Sequence, residues 1–353
     1  MAFEELLTGR DDWFSKDGPH HEVVVTSRIR LARNLTGYKF PHHASAHEQK
    51  AVVDQVRAVV AQVPTLAHLE FVALGDVSSL DRQFLMERQF LSAEHAASLG
   101  ERAVLLDAKA GLSLMVNEED HLRLQVFRPG LNLQEAFLAA KAIDAELEAR
   151  LPYAKDSRLG YITACPTNLG PALRAGVMVH LPALMVNNRI GKILEGVGQA
   201  GLTARGFQGE STRIPTAFFQ ISNQASLGKR DQEIVEHVER VARQILEAEN
   251  NAQTQLFQQE GFRAQDKVSR ALGILKTARV LTLQEALDAF SGLRVGVQQR
   301  LVTGLTIPDL NRLVLLVQPA HLAKLARKEL TPEEEAVERA LWLRRSLKDV
   351  DCD

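Results

Sequence analysis

The chain has 353 residues, 45% of them hydrophobic and 24% charged, with a formal net charge of -2. That length exceeds what one hydrophobic core usually fills, so two domains are expected, and the near-neutral balance excludes wholesale attraction to nucleic acid or acidic membrane. The two distant cysteines, Cys165 and Cys352, point to reduced thiols rather than a disulfide framework; with no signal-peptide pattern and no apolar run near the ~18 residues of a bilayer span, a cytoplasmic protein is expected.

In chain order, Val23 to Val25 reads as a short strand that runs into the densest arginine segment, VVVTSRIRLARN. Side chains on a strand alternate, so Arg28 and Arg30 share a face. Two guanidinium groups side by side repel unless an anion lies between them, and a polyphosphate matches their planar forks. His20, His21, His42, His43 and His47 fall in an expected loop without the spacing of a metal site, so no metal ligands are assigned. ERQFLS, residues 87–92, reads as strand-like and carries Gln89. Further strands are expected at Val104 to Leu106, Leu112 to Val116 and Leu122 to Phe127. The last two flank NEED, which predicts a hairpin with carboxylates at its tip, Glu118, Glu119 and Asp120, and with Arg123 just beyond.

Asn132 followed by Glu135 has the form of a helix N-cap, and Phe137, Ile143 and Leu147 recur near helical spacing. Cys165 ends a strand-like run before a Pro, Asn and Gly turn; an arbitrary free Cys is most often a small buried hydrophobe, but nearby arginines would stabilise its thiolate. Strands are expected again at Val177 to Leu181, preceded by Arg174, and at Phe218 to Ile221. Between them RGFQGE sets Arg205 and a Gly-rich loop beside Glu210. An acid in an anion-holding loop costs Coulomb energy unless a cation sits between them, and a substrate guanidinium or ammonium would serve. Neither a GxxxxGK[ST] loop nor a GxGxxG after a strand is present, which disfavours the two commonest nucleotide folds.

After Gly228 the pattern turns helical, with Ile234, Val238, Val241, Ile245 and Leu246 on one face. Thr282 with Glu285, and Thr331 with Pro332 and Glu334, have the form of capping boxes. The polar stretch ENNAQTQ either marks a boundary or lies inside one long helix; we set the boundary at Thr254, giving domains 1–254 and 255–353. The fold class expected is α+β, an antiparallel-sheet domain followed by an all-α helical one.

TSRIRLARN, NEEDHLR, CPTNLGPALRAGV, RGFQGE and ISNQASLG, in that order, resemble the motifs of the catalytic domain shared by phosphagen (guanidino) kinases and bacterial protein arginine kinases. The resemblance implies an ATP site formed by Thr26, Ser27, Arg28, Ile29, Arg30, Gln89, Arg123, Arg174, Ala175, Gly176, Val177, Met178, Arg205, Gly206, Phe207, Gln208, Gly209 and Glu210, with the five arginines on the phosphates. It implies that Glu119 and Glu210 hold the acceptor guanidinium, that Cys165 is the active-site cysteine, and that Glu118 and Asp120 support the tip. Mg2+ is expected mainly on nucleotide oxygens and water. TSRIRLARN begins at Thr26, with no room for the helical lobe that precedes the phosphagen kinase domain, and Met178 stands where those enzymes typically carry His; both favour the protein arginine kinases.

That branch implies protein substrates, including a heat-shock repressor, client marking for a Clp ATPase and protease, room for an activator protein, and a homodimer built on the helical domain. Two departures stand out. Gln89 occupies a position where some relatives have a nucleotide-contacting His, and the phosphoarginine pocket, Arg-Asp-x-x-Arg-Ala in the family, keeps only Arg339 and Ala340, with Glu335 and Ala336 in the first two places. A weak or absent phosphoarginine response is expected. The competing readings are a kinase for free arginine or another small guanidine, and a catalytically inactive ATP-binding adaptor.

Overall fold

The computed structural model describes residues 6–7, 13–206 and 217–352. Its strands are β1 (Val24–Arg33), β2 (Glu70–Ala73), β3 (Ala103–Asp107), β4 (Leu112–Val116), β5 (Leu122–Pro129), β6 (Lys155–Asp156), β7 (Gly160–Tyr161), β8 (Leu173–His180), β9 (Leu202–Gly206), β10 (Phe218–Asn223), β11 (Val302–Thr303) and β12 (Asp351–Cys352). Its helices are α1 (Ala46–Gln62), α2 (Ser79–Glu87), α3 (Ala93–Ala97), α4 (Leu133–Glu148), α5 (Pro182–Val186), α6 (Ile190–Gln199), α7 (Asp231–Thr277), α8 (Leu283–Gln298), α9 (Ile307–Leu316), α10 (Pro319–Ala326) and α11 (Pro332–Ser346).

Eight strands form one antiparallel sheet in the order β2-β3-β4-β5-β1-β8-β10-β9, so the arginine-bearing β1 lies near its middle. Alternation then sorts the side chains. Ile29, Leu31, Leu124, Val126, Leu173, Ala175, Val177, Phe219 and Ile221 enter one core with α4 and the first half of α7. Burial of each large aliphatic side chain there stabilises the fold by ~1.5–3 kcal/mol.

Arg33 shares this core face by parity and does so only because it is paired. Its guanidinium grips Asp144 of α4 in two bonds, Nε to Oδ1 at 3.0 Å and Nη2 to Oδ2 at 2.6 Å, and lies 3.5 Å from the Tyr161 ring centroid. Such a buried pair is strongly destabilising to break from one side.

The N-cap expected at Asn132 is in place, but its side chain caps nothing; its amide instead donates to Glu135 Oε2 at 2.6 Å. Both capping boxes expected further on are formed, at Thr282 and Thr331. ERQFLS is not a strand: Glu87 ends α2, and Gln89 turns the chain with a φ of 65°. The apolar run was misread because Phe90 and Leu91 are buried from a turn rather than a pleat. Strands β2 and β9, absent from the sequence expectation, lie at the two edges of the sheet.

ENNAQTQ lies within α7, which continues to a non-helical residue, Glu260, beside Gly261. Beyond the kink, the end of α7 with α8, α9 and α11 encloses a separate apolar cluster around Leu275, Phe290, Leu293 and Leu343. A third cluster joins the two regions, packing Leu315, Leu316 and Ala320 against Phe84, Phe127, Trp13 and Phe14. The protein is thus α+β, with a helical C-terminal region docked on the sheet-bearing one.

Candidate functional site

Register decides which arginines meet. Directly paired residues of antiparallel strands share a face. Arg28 lies opposite Phe127 and Gly176, Arg30 opposite Gln125 and Arg174, and Ala32 opposite Arg123. Across β10, Gly176 pairs with Ser222 and Met178 with Gln220, and Gln220 pairs in turn with Arg205. Arg28, Arg30, Arg123, Arg174 and Arg205 therefore stand on one face, the one away from the main core.

These cations repel one another. Burial, then Arg123 and Arg174, pull Arg28 down to about 9. Burial, then Arg28, Arg123 and Arg174, pull Arg30 well below its ordinary value, with Glu118 acting the other way. Burial, Arg205 and Arg123 do the same to Arg174, whose Nε donates to Ser222 Oγ at 3.1 Å. Arg30 Nε is buried without a hydrogen-bond partner. A cluster of cations with an unspent donor fits a bound polyanion, which would lift the repulsion and complete the hydrogen bonding.

At the end of the face, Val116 pairs with Leu122 and brackets the acidic tip. Glu118 is buried, and both its oxygens lie 2.5 Å from Arg123 Nη1, while Ser92 Oγ also donates to Oε1. Burial works to raise this carboxyl, but Arg123 beside it and the hydrogen bonds from Arg123 and Ser92 prevail and hold it below its ordinary value. Asp120 Oδ1 accepts from Asn34 Nδ2 at 2.5 Å and from the backbone N–H of Ala164 at 2.7 Å. This bond brings the segment carrying Cys165 to the tip.

His121 locks the other side: its N–H donates to Asn34 Oδ1 at 2.9 Å, and its Nδ1 accepts from Leu35 N at 3.0 Å, so the proton resides on Nε2, which faces Lys39 O. Glu119, between the two anchored acids, is exposed. Partial loss of water around its carboxyl, then the charges of Asp120 and Glu118, raise it above its ordinary value, which suits a group that must accept a proton. Cys165 starts a short 3-10 turn, Pro166–Asn168, with Sγ 3.0 Å from Thr167 Oγ1.

A narrow crevice of about 20 Å³ lies beside the arginines. Thr26, Arg28, Gln89, Gly176, Val177 and Met178 line it, six residues expected at the ATP site, together with Trp13, Phe14, Phe127 and Leu315. Trp13 stacks on Phe127 at 4.6 Å, and Arg28 lies over the same Phe127 ring at 5.7 Å. One end is thus aromatic and the other cationic. Gly176 is required here because a Cβ would meet Ile221 O of β10 at 2.9 Å.

Ser27, Ile29 and Ala175 point to the opposite face by parity and are fully buried; Ser27 Oγ there donates to Gly130 O at 2.8 Å. Gly206 ends β9 opposite Phe219. Phe207, Gln208, Gly209 and Glu210 lie outside the described residues. Gln125, Phe127, Ser92 and Asn34 were not singled out in the sequence, although period-two alternation from Arg123 already placed Gln125 and Phe127 on its face.

In the C-terminal region, Arg339 is buried on α11, and its guanidinium is spent on backbone carbonyls, Nε to Val317 O and Nη1 to Leu281 O, each 2.9 Å. Its remaining Nη2 faces Glu335 at 3.7 Å.

Residues 51–252 match the family of the ATP:guanido phosphotransferase C-terminal catalytic domain, and residues 263–353 match the protein-arginine kinase McsB C-terminal domain. The chain is 40% identical over 351 residues to a protein-arginine kinase of Symbiobacterium thermophilum, covering 98% of this chain and 99% of the relative. It is 41% identical over 344 residues to one of Moorella thermoacetica, covering 97% and 98%. Among solved structures, a lombricine kinase superposes with a TM-score of 0.58 at 26% identity, over 65% of this chain and 67% of that one. A duplicated taurocyamine kinase of Schistosoma mansoni, carrying components of a transition-state analogue, gives 0.58 at 25%, over 67% and 35%. Both regions of the sequence, the arginine-faced sheet and the helices docked on it, thus match one group of enzymes end to end, and the chain belongs to the protein-arginine kinase family of ATP:guanido phosphotransferases.

Proposed function

We propose that this chain transfers the γ-phosphoryl group of ATP to guanidinium groups of arginines in polypeptides. The observation that carries the reading is the row of five arginines on one sheet face, ending at an anchored carboxylate tip. Phosphoryl transfer needs positioning and neutralisation of charge on the phosphate oxygens, and Arg28, Arg30, Arg123, Arg174 and Arg205 supply both. ATP would lie along this face, its phosphates on the arginines and its base toward Gln89, Gly176 and Met178, beside the narrow crevice that these residues line. Mg2+, which would be held mainly by nucleotide oxygens and water rather than by these side chains, would supply further neutralisation of phosphate charge.

The acceptor presents a difficulty of its own, because a guanidinium is charged and its lone pairs are delocalised. Glu119, as the carboxylate, orients the guanidinium and takes the proton released as the N–P bond forms and the bond from Pγ to the β-phosphate oxygen breaks; its raised proton affinity suits that role. Glu210 is its proposed partner, and Cys165 stands beside the tip through Ala164. Glu118 and Asp120 hold the tip.

The remaining expectations follow from the family. The protein acts in the cytoplasm as a homodimer, its substrates include a heat-shock repressor, and modified clients pass to a Clp ATPase and protease. Domains 1–254 and 255–353 share helix α7, with the kink at Glu260 near the division. Because Arg339 is committed to two carbonyls and Glu335, activation by phosphoarginine is weak or absent.

Phosphorus NMR with Mg-ATP tests the activity, offering free arginine in one tube and an arginine-rich unfolded protein in the other. An acid-labile phosphoramidate signal only with the protein acceptor is the expected outcome. A signal with free arginine would reassign the chain to small-guanidine kinases, and silence in both would favour an inactive adaptor.

A further inference from the structure

The crevice is not built by the sheet region alone. Leu315, on α9, closes one side, and Glu87, the last residue of α2, lines it two residues before Gln89. Glu87 also reaches into the C-terminal region. Its Oε1 accepts from Ala320 N at 2.9 Å, and its Oε2 accepts from His321 N at 3.2 Å and lies 2.7 Å from His321 Nδ1. The carboxylate therefore caps the first turn of α10 from a different element, where charge and unpaired N–H groups favour an anion. Its side chain is only 6% exposed, so water cannot replace these bonds.

The contact continues inward. Gln89 N donates to Met86 O at 2.9 Å, its φ of 65° fixes the turn, and its carbonyl accepts from Gln125 Nε2 at 3.3 Å. Gln125 lies directly opposite Arg30. A line of contacts thus runs from α10 through Glu87, Gln89 and Gln125 to the arginine row. Attachment of the two regions does not need Glu87 on its own, since Lys324 of α10 already bonds Asp81 of α2 at 2.5 Å. What distinguishes Glu87 is that it faces the crevice.

We propose that Glu87 is a positioning residue for ATP: by clamping α10 to the end of α2 it sets Gln89 and Leu315 along the crevice that borders the arginine face, so ATP affinity belongs to both regions jointly. This rests on the reading of the arginine face beside the crevice as the nucleotide site. It makes the helical region part of the substrate site for ATP.

The test uses the full chain with an arginine-rich protein acceptor and titrated Mg-ATP. Glu87→Gln keeps the shape but presents only one carbonyl oxygen to four donors, Gln83 Nε2 at 3.1 Å being the fourth. It is expected to raise the KM for ATP roughly ten-fold with kcat within about two-fold. Leu315→Ala, which leaves the clamp intact and removes the wall, is expected to raise KM similarly and provides the test if Glu87→Gln does not fold. A merely structural role would lower kcat per mole of protein and leave KM unchanged, and that result for both variants overturns the proposal. Arg28→Met and Met178→Trp, assayed for direct Mg-ADP binding, separate the two readings. If they weaken binding while Glu87→Gln and Leu315→Ala leave KM unchanged, the clamp alone is wrong; if neither alters binding, the arginine face beside the crevice is not the nucleotide site and the proposal falls with it.

Discussion

Replacing Arg30 by Met should make the protein more stable without nucleotide and deprive it of nucleotide stabilisation. Arg30 Nε is buried without a partner, and its guanidinium shares one face with Arg28, Arg123 and Arg174. A buried unsatisfied donor costs ~1–3 kcal/mol. At an effective dielectric constant of about 20, each like charge about 8 Å away adds ~2 kcal/mol before screening. Glu118 offsets part of this repulsion, and Met loses some of the packing of the longer side chain. A net gain of about 2 kcal/mol remains, worth a rise in Tm of roughly 4–8 °C in a cooperative unit of this size. Mg-ATP at about 100 times its Kd should stabilise the wild type by ~2.7 kcal/mol, and the variant by far less. Thermal melts of both proteins, with and without Mg-ATP, measure each quantity. A nucleotide-free variant that melts below the wild type, or one that keeps the full ATP-induced shift, would refute the argument that this row is held in repulsion awaiting an anion.

Four further outcomes are expected. Glu119→Gln should reduce transfer about 10²–10⁴-fold with Mg-ADP affinity preserved; because the Glu119 carboxyl is raised, the acid limb of the wild-type kcat profile should lie above the ordinary carboxylate range and vanish in the variant. Glu118→Gln should cost about 2–3 kcal/mol, less than a fully buried pair because Arg123 keeps some exposure. Since the folded Glu118 carboxyl is depressed, this contribution is fully present above the ordinary carboxylate value and disappears as pH falls through the depressed one, so urea melts of wild type and variant should converge in acid. Arg339→Met should destabilise by about 2–4 kcal/mol, because the carbonyls of Val317 and Leu281 lose their donor, and a phosphoarginine peptide should not stimulate the wild type; stimulation at micromolar peptide would show that Arg339 is free to switch partners.

The site was more legible than the fold around it. Arg28 and Arg30 could be read together because period-two alternation needs only local sequence, whereas Arg123, Arg174 and Arg205 were joined to them only through the family resemblance; the acidic hairpin declared itself by two apolar runs flanking NEED. Sequence did not say that β1 lies between β5 and β8, which is what brings arginines from three strands together; pairing is a long-range property. Edge strand β9 escaped notice because LTARG has little apolar character. Gln89 was placed near the nucleotide, but on a strand, because Phe90 and Leu91 signal burial without revealing geometry. The anchors Ser92 and Asn34 were illegible for a simpler reason: a lone polar residue acquires meaning only from the carboxylate that the fold sets opposite it.

Strand β1 carries arginines with opposite fates. Arg28 and Arg30 await an anion on one side, while Arg33, an odd number of places away, is sealed against Asp144 on the other. A slip of one residue would drive two unpaired cations into the apolar core, pull Arg33 from its carboxylate and expose Ile29 and Leu31 where phosphates should lie. The strand therefore proofreads its own alignment. Chains that misregister here lose stability and chemistry together, so a population of folded but catalytically misaligned molecules has no low-energy state to occupy.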